Sequence, residues 1–231
     1  MDNVKYIHAG DTALIVSFGE DVDEAVNKRV FSLFKEIEKS QLEGVIEAVP
    51  TYRDLCICYD PLKLTAGRLQ EMCHKILADL KDEEEGSRKV VQVPVVYGGE
   101  YGPDLDYIAR VHDMTPREVV DLHSAVEYRV YMVGFAPGFP YLGGLDERLH
   151  TPRREIPNPR VLSGSVGIGG KQTCVLTITG PSGWWYIGRT PLVFADVEKE
   201  DPILVKPGSY IKFNPIKPEE YRLYAEKDSE K

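Results

Sequence analysis

Long apolar runs are missing from this chain of 231 residues. None approaches the ~18 residues that a membrane-spanning helix needs, so no such helix is expected. The first residues, Met1-Asp2-Asn3-Val4-Lys5, lack the apolar stretch of a secretory signal, which makes the cytoplasm the expected location. Cysteine is scarce. Cys56, Cys58, Cys73 and Cys174 show neither zinc-ligand spacing nor a C-x-x-C pair, so buried free thiols are expected. Cys56 and Cys58 stand two apart in an apolar strand and should point to one face. Positive charge is in deficit: 28 Lys and Arg stand against 37 Asp and Glu, for a net charge of −9. That balance speaks against nucleic acid or an anionic membrane as the main partner.

Familiar catalytic signatures are absent too. Gly169-Gly170-Lys171 looks like the end of a phosphate-binding loop of the form G-x-x-x-x-G-K-[ST]. That pattern needs Gly at position 165 and Ser or Thr at 172, whereas the chain has Ser165 and Gln172 and no long helix to follow. Ser163, Ser165 and Ser182 lack the glycine pair of a G-x-S-x-G nucleophile elbow. His8, His74, His112, His123 and His150 make no metal-binding spacing, so no metal site is expected.

What is present falls into two halves. Apolar residues make up 42% of the chain, enough for a core, and the length allows one large or two small domains. Residues 13–18 read as a strand. Residues 21–40 read as a helix: Val26, Val30, Phe31, Leu33, Phe34 and Ile37 share one stripe, and Asp21 with Glu24 resembles a capping box. Short strands at 45–49 and 55–59 follow, then a helix with Leu69, Met72, Cys73, Ile76, Leu77 and Leu80 on one face. The acidic run Asp82-Glu83-Glu84-Glu85-Gly86-Ser87 suggests a boundary. The expectation is an α+β domain over residues 1–88, ordered β-β-α-β-β-α, with nothing chemical in it. His74 there reads as a surface or half-buried histidine.

The second domain, residues 89–231, opens on a strand at 89–96, where Pro94 suggests a sheet edge. Two short helices follow, at 105–112 and from Thr115-Pro116-Arg117-Glu118, the latter with Thr as N-cap, Pro at N1 and Glu at N3. From Tyr128 onward, Gly and Pro recur between short β-rich runs at 129–133, 161–168, 173–179, 184–187, 203–205 and 210–213. That is the grammar of a β-barrel or sandwich. Residues 225–231 are charged and are expected to fray.

The chemistry is expected between Tyr128 and Pro191. Each Gly weakens regular structure by about 0.5–1 kcal/mol, so Gly-rich segments need a reason: barrel corners, or backbone amides close to a ligand. Phe135, Phe139, Tyr141 and Trp184 could wall a groove. Arg153, Arg154, Arg160, Lys171 and Arg189 supply local positive charge, and Arg suits bidentate capture of carboxylate or phosphate. Such a groove fits a small anionic ligand. Barrel turns with solvated arginines are the plainer alternative.

Four blocks follow in order: residues 123–145, including Gly134-Phe135-Ala136-Pro137-Gly138-Phe139-Pro140-Tyr141; then Thr151-Pro152-Arg153-Arg154; then residues 164–173; then Gly183-Trp184 and Gly188-Arg189-Thr190-Pro191. They are similar to those of the family holding the B-type subunit of 5-oxoprolinase, the kinase inhibitor KipI and allophanate hydrolase subunit 1. The resemblance spans nearly the whole chain. It implies an α+β N-terminal domain followed by a mainly-β, cyclophilin-like barrel. It also implies one component of a multi-subunit enzyme that opens 5-oxo-L-proline to L-glutamate. ATP, with magnesium, would be used at the level of the complex. Two partner chains are implied: a KipA-type protein, which is the C-type subunit of 5-oxoprolinase, and the A-type subunit of the same enzyme. The isolated chain would be inactive. Two other family roles stay open: inhibition of a sensor histidine kinase, and accessory work in an allophanate hydrolase or urea carboxylase system.

Within that scheme Arg160 and Arg189 would grip a carboxylate or phosphate. Lys171, Gln172 and Thr173 would orient the substrate, and backbone amides around Gly169 and Gly170 would face an oxyanion. Pro137, Phe139 and Trp184 complete the expected substrate-binding set. His123 and Lys171 are the candidate catalytic residues; the alternative for His123 is to orient the loop near Tyr128. No nucleophile is evident, which suggests a site shared with a partner chain.

Overall fold

In the two central strands of the N-terminal sheet, buried and half-buried positions alternate. The computed structural model describes residues 4–20, 23–80 and 89–229, and the chain divides into two units, Met1–Arg88 and Lys89–Lys231. In the first unit the elements run β1 (Lys5–His8), β2 (Ala13–Ser17), α1 (Glu24–Ser40), β3 (Val45–Pro50), β4 (Asp54–Tyr59) and α2 (Ala66–Asp79). The sheet is antiparallel, in the order β1-β2-β4-β3. Leu14, Val16, Leu55 and Ile57 alternate inward and pack with Val30, Leu33 and Ile37 of α1 and with Leu69 and Cys73 of α2.

The stripe expected on α1 forms, with Phe31 only half-buried. A polar residue joins it. Asn27 is buried because its amide donates to the carbonyls of Thr51 at 3.0 Å and Tyr52 at 3.3 Å, which ties the helix to the β3–β4 turn. The cap is Asp23, whose carboxylate accepts from the Val26 N–H at 2.8 Å. The expected cap, Asp21, and the acidic run 82–87 lie outside the described residues. Cys56 and Cys58 share one face, but it is the half-buried face turned away from the helices rather than the core. Cys73 and Cys174 are buried, and His74 is exposed.

In the second unit the elements run β5 (Val90–Tyr97), α3 (Leu105–Val111), α4 (Pro116–Ala125), β6 (Glu127–Val133), β7 (Pro140–Gly143), β8 (Asn158–Val161), β9 (Ser165–Gly169), β10 (Gln172–Val175), β11 (Gly180–Ser182), β12 (Trp185–Arg189), β13 (Tyr210–Pro215) and α5 (Tyr221–Ser229). Seven strands close into a barrel in the order β10-β7-β6-β13-β5-β12-β9, and β8 pairs with β11 apart from it. Within the barrel β13 and β5 run parallel and the other neighbours antiparallel. The mainly-β barrel expected for this half is therefore present. The capping box at the start of α4 forms in full: Glu118 accepts from the Thr115 N–H at 2.7 Å, and Thr115 Oγ1 accepts from the Glu118 N–H at 3.3 Å.

Four expectations need correction. First, β5 is not an edge strand, since β13 pairs along one side and β12 meets Val96 and Tyr97 on the other. The Val95 carbonyl turns toward β13, accepting from the Ile216 N–H at 2.9 Å. The Pro94 nitrogen therefore faces the opposite side, short of where β12 begins to pair, and its missing N–H breaks no ladder bond. Second, the run 161–168 splits between β8 and β9 at Gly164, whose φ is +83° and where a Cβ would meet the Thr190 carbonyl oxygen at 2.4 Å. Third, residues 203–205 contribute only the bridge Ala195↔Ile203. Fourth, residues 225–229, expected to fray, belong to α5. Among the described residues no helix is long and apolar enough to cross a membrane.

Candidate functional site

Two tight turns in succession join β6 to β7. The Ala136 N–H reaches the Gly134 carbonyl at 2.8 Å around Phe135, whose φ is +68°. This is a γ-turn of the positive-φ kind, rare and strained for a residue with a side chain. The Phe139 N–H then reaches the Ala136 carbonyl at 3.0 Å around Pro137 and Gly138, the latter with φ +71°. Pro and Gly there occupy the positions that a type II turn prefers. A bond from the Gly134 N–H to the Phe139 carbonyl at 3.1 Å closes the loop. Phe135 is thus held in a conformation costing about 1–3 kcal/mol with its side chain 76% exposed.

Behind Phe135 lies a row of rings. Phe135 meets Phe139 edge-on at 5.5 Å, and Phe139 meets Tyr141 at 4.9 Å. Phe139 belongs to a small cluster with Ala136, Val161, Cys174, Leu176, Trp184 and Tyr186, separate from the barrel interior, and Tyr141 packs against it. Strand glycines make room for it. A Cβ on Gly169 would come within 2.7 Å of the Trp184 ring, and one on Gly167 within 2.9 Å of the Tyr186 ring. The glycines of β9 are therefore neither barrel corners nor ligand-facing amides. They let two aromatic rings lie against the strand.

The two adjacent arginines differ. Arg154 is ion-paired with Asp104 and lies 4.0 Å from the Trp185 ring centroid. Asp104 also accepts from the Tyr186 N–H at 2.8 Å. Trp185 in turn stacks on Tyr107 at 3.9 Å and donates its indole N–H to the Pro152 carbonyl at 2.8 Å. Arg154 therefore holds α3 to β12. Arg153 is exposed, with its guanidinium carbon 5.0 Å from the Trp184 ring centroid.

His123 does not belong to this cluster. It is fully buried, stacked on Phe213 at 4.8 Å. Its proton can be placed from its neighbours. The Gly167 carbonyl can only accept, so the Thr173 hydroxyl donates to it at 3.0 Å. Thr173 Oγ1 then accepts from His123 Nε2–H at 2.8 Å, and Nδ1 accepts from the Tyr97 hydroxyl at 2.8 Å. The Tyr128 hydroxyl donates to the His123 carbonyl at 2.7 Å. Burial holds the imidazole neutral down to a pKa of about 3, and it pushes the Tyr97 and Tyr128 hydroxyls up. A proton carrier must reach substrate or solvent. His123, with both nitrogens engaged inside the barrel, instead fixes α4 and the chain leading into β6. Thr173 is buried with it, so this arrangement also argues against the substrate contact expected of Thr173.

The remaining expected residues divide. Pro137 is exposed at the tip of the type II turn, and Phe139 and Trp184 belong to the aromatic cluster. Arg189 donates from Nε to the Ser163 carbonyl at 2.9 Å. Gly170, with φ +64°, and Lys171 form the turn between β9 and β10, with Lys171 exposed and Gln172 half-buried. The Gly170 amide donates to the Thr151 carbonyl at 2.7 Å, so it does not face an oxyanion. Arg160 is exposed. Sequence reasoning missed Asp104, Tyr97 and Tyr186. Their importance comes from partners tens of residues away, and no local signal marks them.

A family model described as carboxyltransferase domain, subdomain C and D, matches residues 4–205. The B-type subunit of 5-oxoprolinase from Bacillus subtilis (strain 168) is 38% identical over 230 residues, covering 95% of this chain and 96% of that protein. Its counterpart of the same name from Escherichia coli O157:H7 is 40% identical over 212 residues, covering 90% and 94%. Among solved structures, TTHA0988 matches with a TM-score of 0.79 at 34% identity, over 89% of this chain and 40% of that longer one. With a match that runs through both units and every motif block, the chain belongs to the carboxyltransferase subdomain C and D family.

Proposed function

We propose that this chain is the B-type subunit of a 5-oxoprolinase, part of an ATP-dependent assembly that opens 5-oxo-L-proline to L-glutamate. The observation that carries this reading is the near full-length identity of 38% and 40% to two proteins of that name. The surface of the barrel around Arg153 suits the task. A lactam is a poor electrophile, and phosphorylating its oxygen creates a better leaving group, at the cost of charge that positive groups must offset. This chain would contribute the exposed charge of Arg153, seated on the buried Trp184, and the half-buried ring of Tyr141.

The described residues do not fit a phosphate cradle of the P-loop kind. Gly170 and Lys171 lie in a β-hairpin turn rather than at a helix N-terminus, and the Gly170 amide is already bonded. ATP is accordingly assigned to the assembly, with the A-type subunit of 5-oxoprolinase and a KipA-type protein supplying the rest of the site. The relatives are named as one subunit of an enzyme, which itself implies a multi-subunit complex. In TTHA0988 the matching part is 40% of one longer chain, which accords with a site built on additional sequence.

The test is to co-purify the three subunits and measure glutamate released from 5-oxoproline with ATP. The complex is expected to turn over and this chain alone is not. Full activity of the isolated chain would overturn the shared site. An inert complex would overturn the reading as a whole.

A further inference from the structure

We propose that Arg153 is the receptor for the carboxylate of 5-oxoproline, with Trp184 seating its guanidinium and the half-buried Tyr141 offering its ring to the lactam. This rests on the reading of the chain as a 5-oxoprolinase component and assigns to Arg153 the task expected above of Arg160 and Arg189.

Four observations converge on it. Arg154, the next residue, has its charge matched by Asp104, whereas Arg153 has no ion pair or hydrogen bond among the described residues. Its charge is nevertheless positioned, with the guanidinium carbon 5.0 Å from the Trp184 ring centroid. A guanidinium resting on an aromatic face uses its plane there and keeps its in-plane fork of N–H donors for an anion. The seat is rigid, because Trp184 is buried to 7% exposure and packs against the bare backbone of Gly169. The charge also lies close enough to the cluster for its field to oppose, in part, the upward push of burial on the Tyr141, Cys174 and Tyr186 side chains.

The competing candidates lack such a setting. Arg189 is turned to the Ser163 carbonyl. The side chains of Arg160 and Lys171 are exposed, with no ring contact among the described residues. The substrate is a small flat ring carrying one carboxylate. A single seated arginine whose charge acts on the half-buried Tyr141, a ring backed edge-to-face by Phe139 at 4.9 Å, offers one partner for each of those two features.

The experiment uses the assembled three-subunit complex carrying Arg153→Ala or Arg153→Lys. Three quantities are measured: KM for 5-oxoproline, KM for ATP, and inhibition by 2-pyrrolidinone, the same lactam without the carboxylate. Loss of a charge-assisted pair is expected to raise KM for 5-oxoproline by about 10- to 100-fold in Arg153→Ala. Arg153→Lys should recover part of that, because the charge remains while the fork is lost. KM for ATP and inhibition by 2-pyrrolidinone should stay within about twofold. An unchanged KM for 5-oxoproline overturns the proposal. So does a rise confined to ATP, which would make the arginine a phosphate-binding residue instead, or an equal loss with 2-pyrrolidinone. A wild-type complex inert toward 5-oxoproline would be the failure of the functional reading. An active wild type with an equally active Arg153→Ala would be the failure of the carboxylate assignment alone.

Discussion

Replacing His123 with glutamine should change how the stability of the barrel responds to acid. The imidazole is neutral in the folded chain and stays so down to about pH 3, whereas in the unfolded chain it takes up a proton below about pH 6.5. Between those values the unfolded state binds more protons than the folded state. Stability therefore rises with pH across this window, is fully present above it, and falls by about 1.4 kcal/mol per pH unit on acidification. From pH 7 to pH 5 the wild type loses about 2 kcal/mol through this one group. Glutamine can accept from the Tyr97 hydroxyl and donate to Thr173, but it does not titrate. The variant should be weaker at pH 7 by about 1–3 kcal/mol, through lost packing on Phe213 and imperfect bonds. The gap should then narrow by about 2 kcal/mol at pH 5. Urea unfolding at both pH values measures it, and the chain's two tryptophans, Trp184 and Trp185, report on the second unit alone. Carboxylates and the other histidines cancel in the difference between the two proteins. A gap that stays constant between pH 7 and pH 5 would show that His123 titrates in the fold as it does outside it, and would refute the buried neutral assignment.

Two further outcomes follow from the aromatic cluster and the loop beside it. Gly169→Ala places a Cβ 2.7 Å from the Trp184 ring, so overpacking should cost about 1–3 kcal/mol and shift the tryptophan emission; unchanged emission and melting temperature would show that the ring yields freely. Phe135→Gly removes a side chain from a φ of +68°, so relief of strain should leave stability equal or raised by up to about 1 kcal/mol, read as an equal or higher melting temperature. The same variant should lower turnover by the assembled complex, and a loss of stability with full turnover would contradict a functional reason for the strain.

What could be read from the sequence was local. The stripe of α1 and the Thr115–Glu118 box depend on residues three or four apart, and both form. β7 was not legible: Pro140-Tyr141-Leu142-Gly143 has no alternation, and it is a strand only because β6 and β10 flank it. Residues 161–168 read as one run because apolar residues stand on both sides of Ser163-Gly164-Ser165, where the positive φ of Gly164 makes the turn. In Gly134-Phe135-Ala136-Pro137-Gly138-Phe139 the turn chemistry was plain, but the positive φ falls on Phe135 rather than on Gly134. The candidate site was legible as a region and not as an assignment of roles. His123 and Thr173 stand fifty residues apart in sequence, and neither spacing nor composition reveals that each satisfies the other inside a barrel. Arg153 and Arg154 look alike in a string of letters, and only Asp104 distinguishes them.

The parallel pairing of β13 with β5 has a consequence for how the barrel comes into being. β13 lies between β5 and β6, with Tyr210 opposite both Val90 and Arg129. The first strands of the unit to leave the ribosome thus wait for one of the last before the ring can shut. Until then β5 and β6 each present an open edge, and the apolar side chains that will line the interior have no lid. Such long-range closure is slow compared with hairpin formation, and open edges recruit other chains. The interval between synthesis of β6 and arrival of β13 is therefore when this protein is most exposed to aggregation, and when a chaperone or a partner protein would have most to protect.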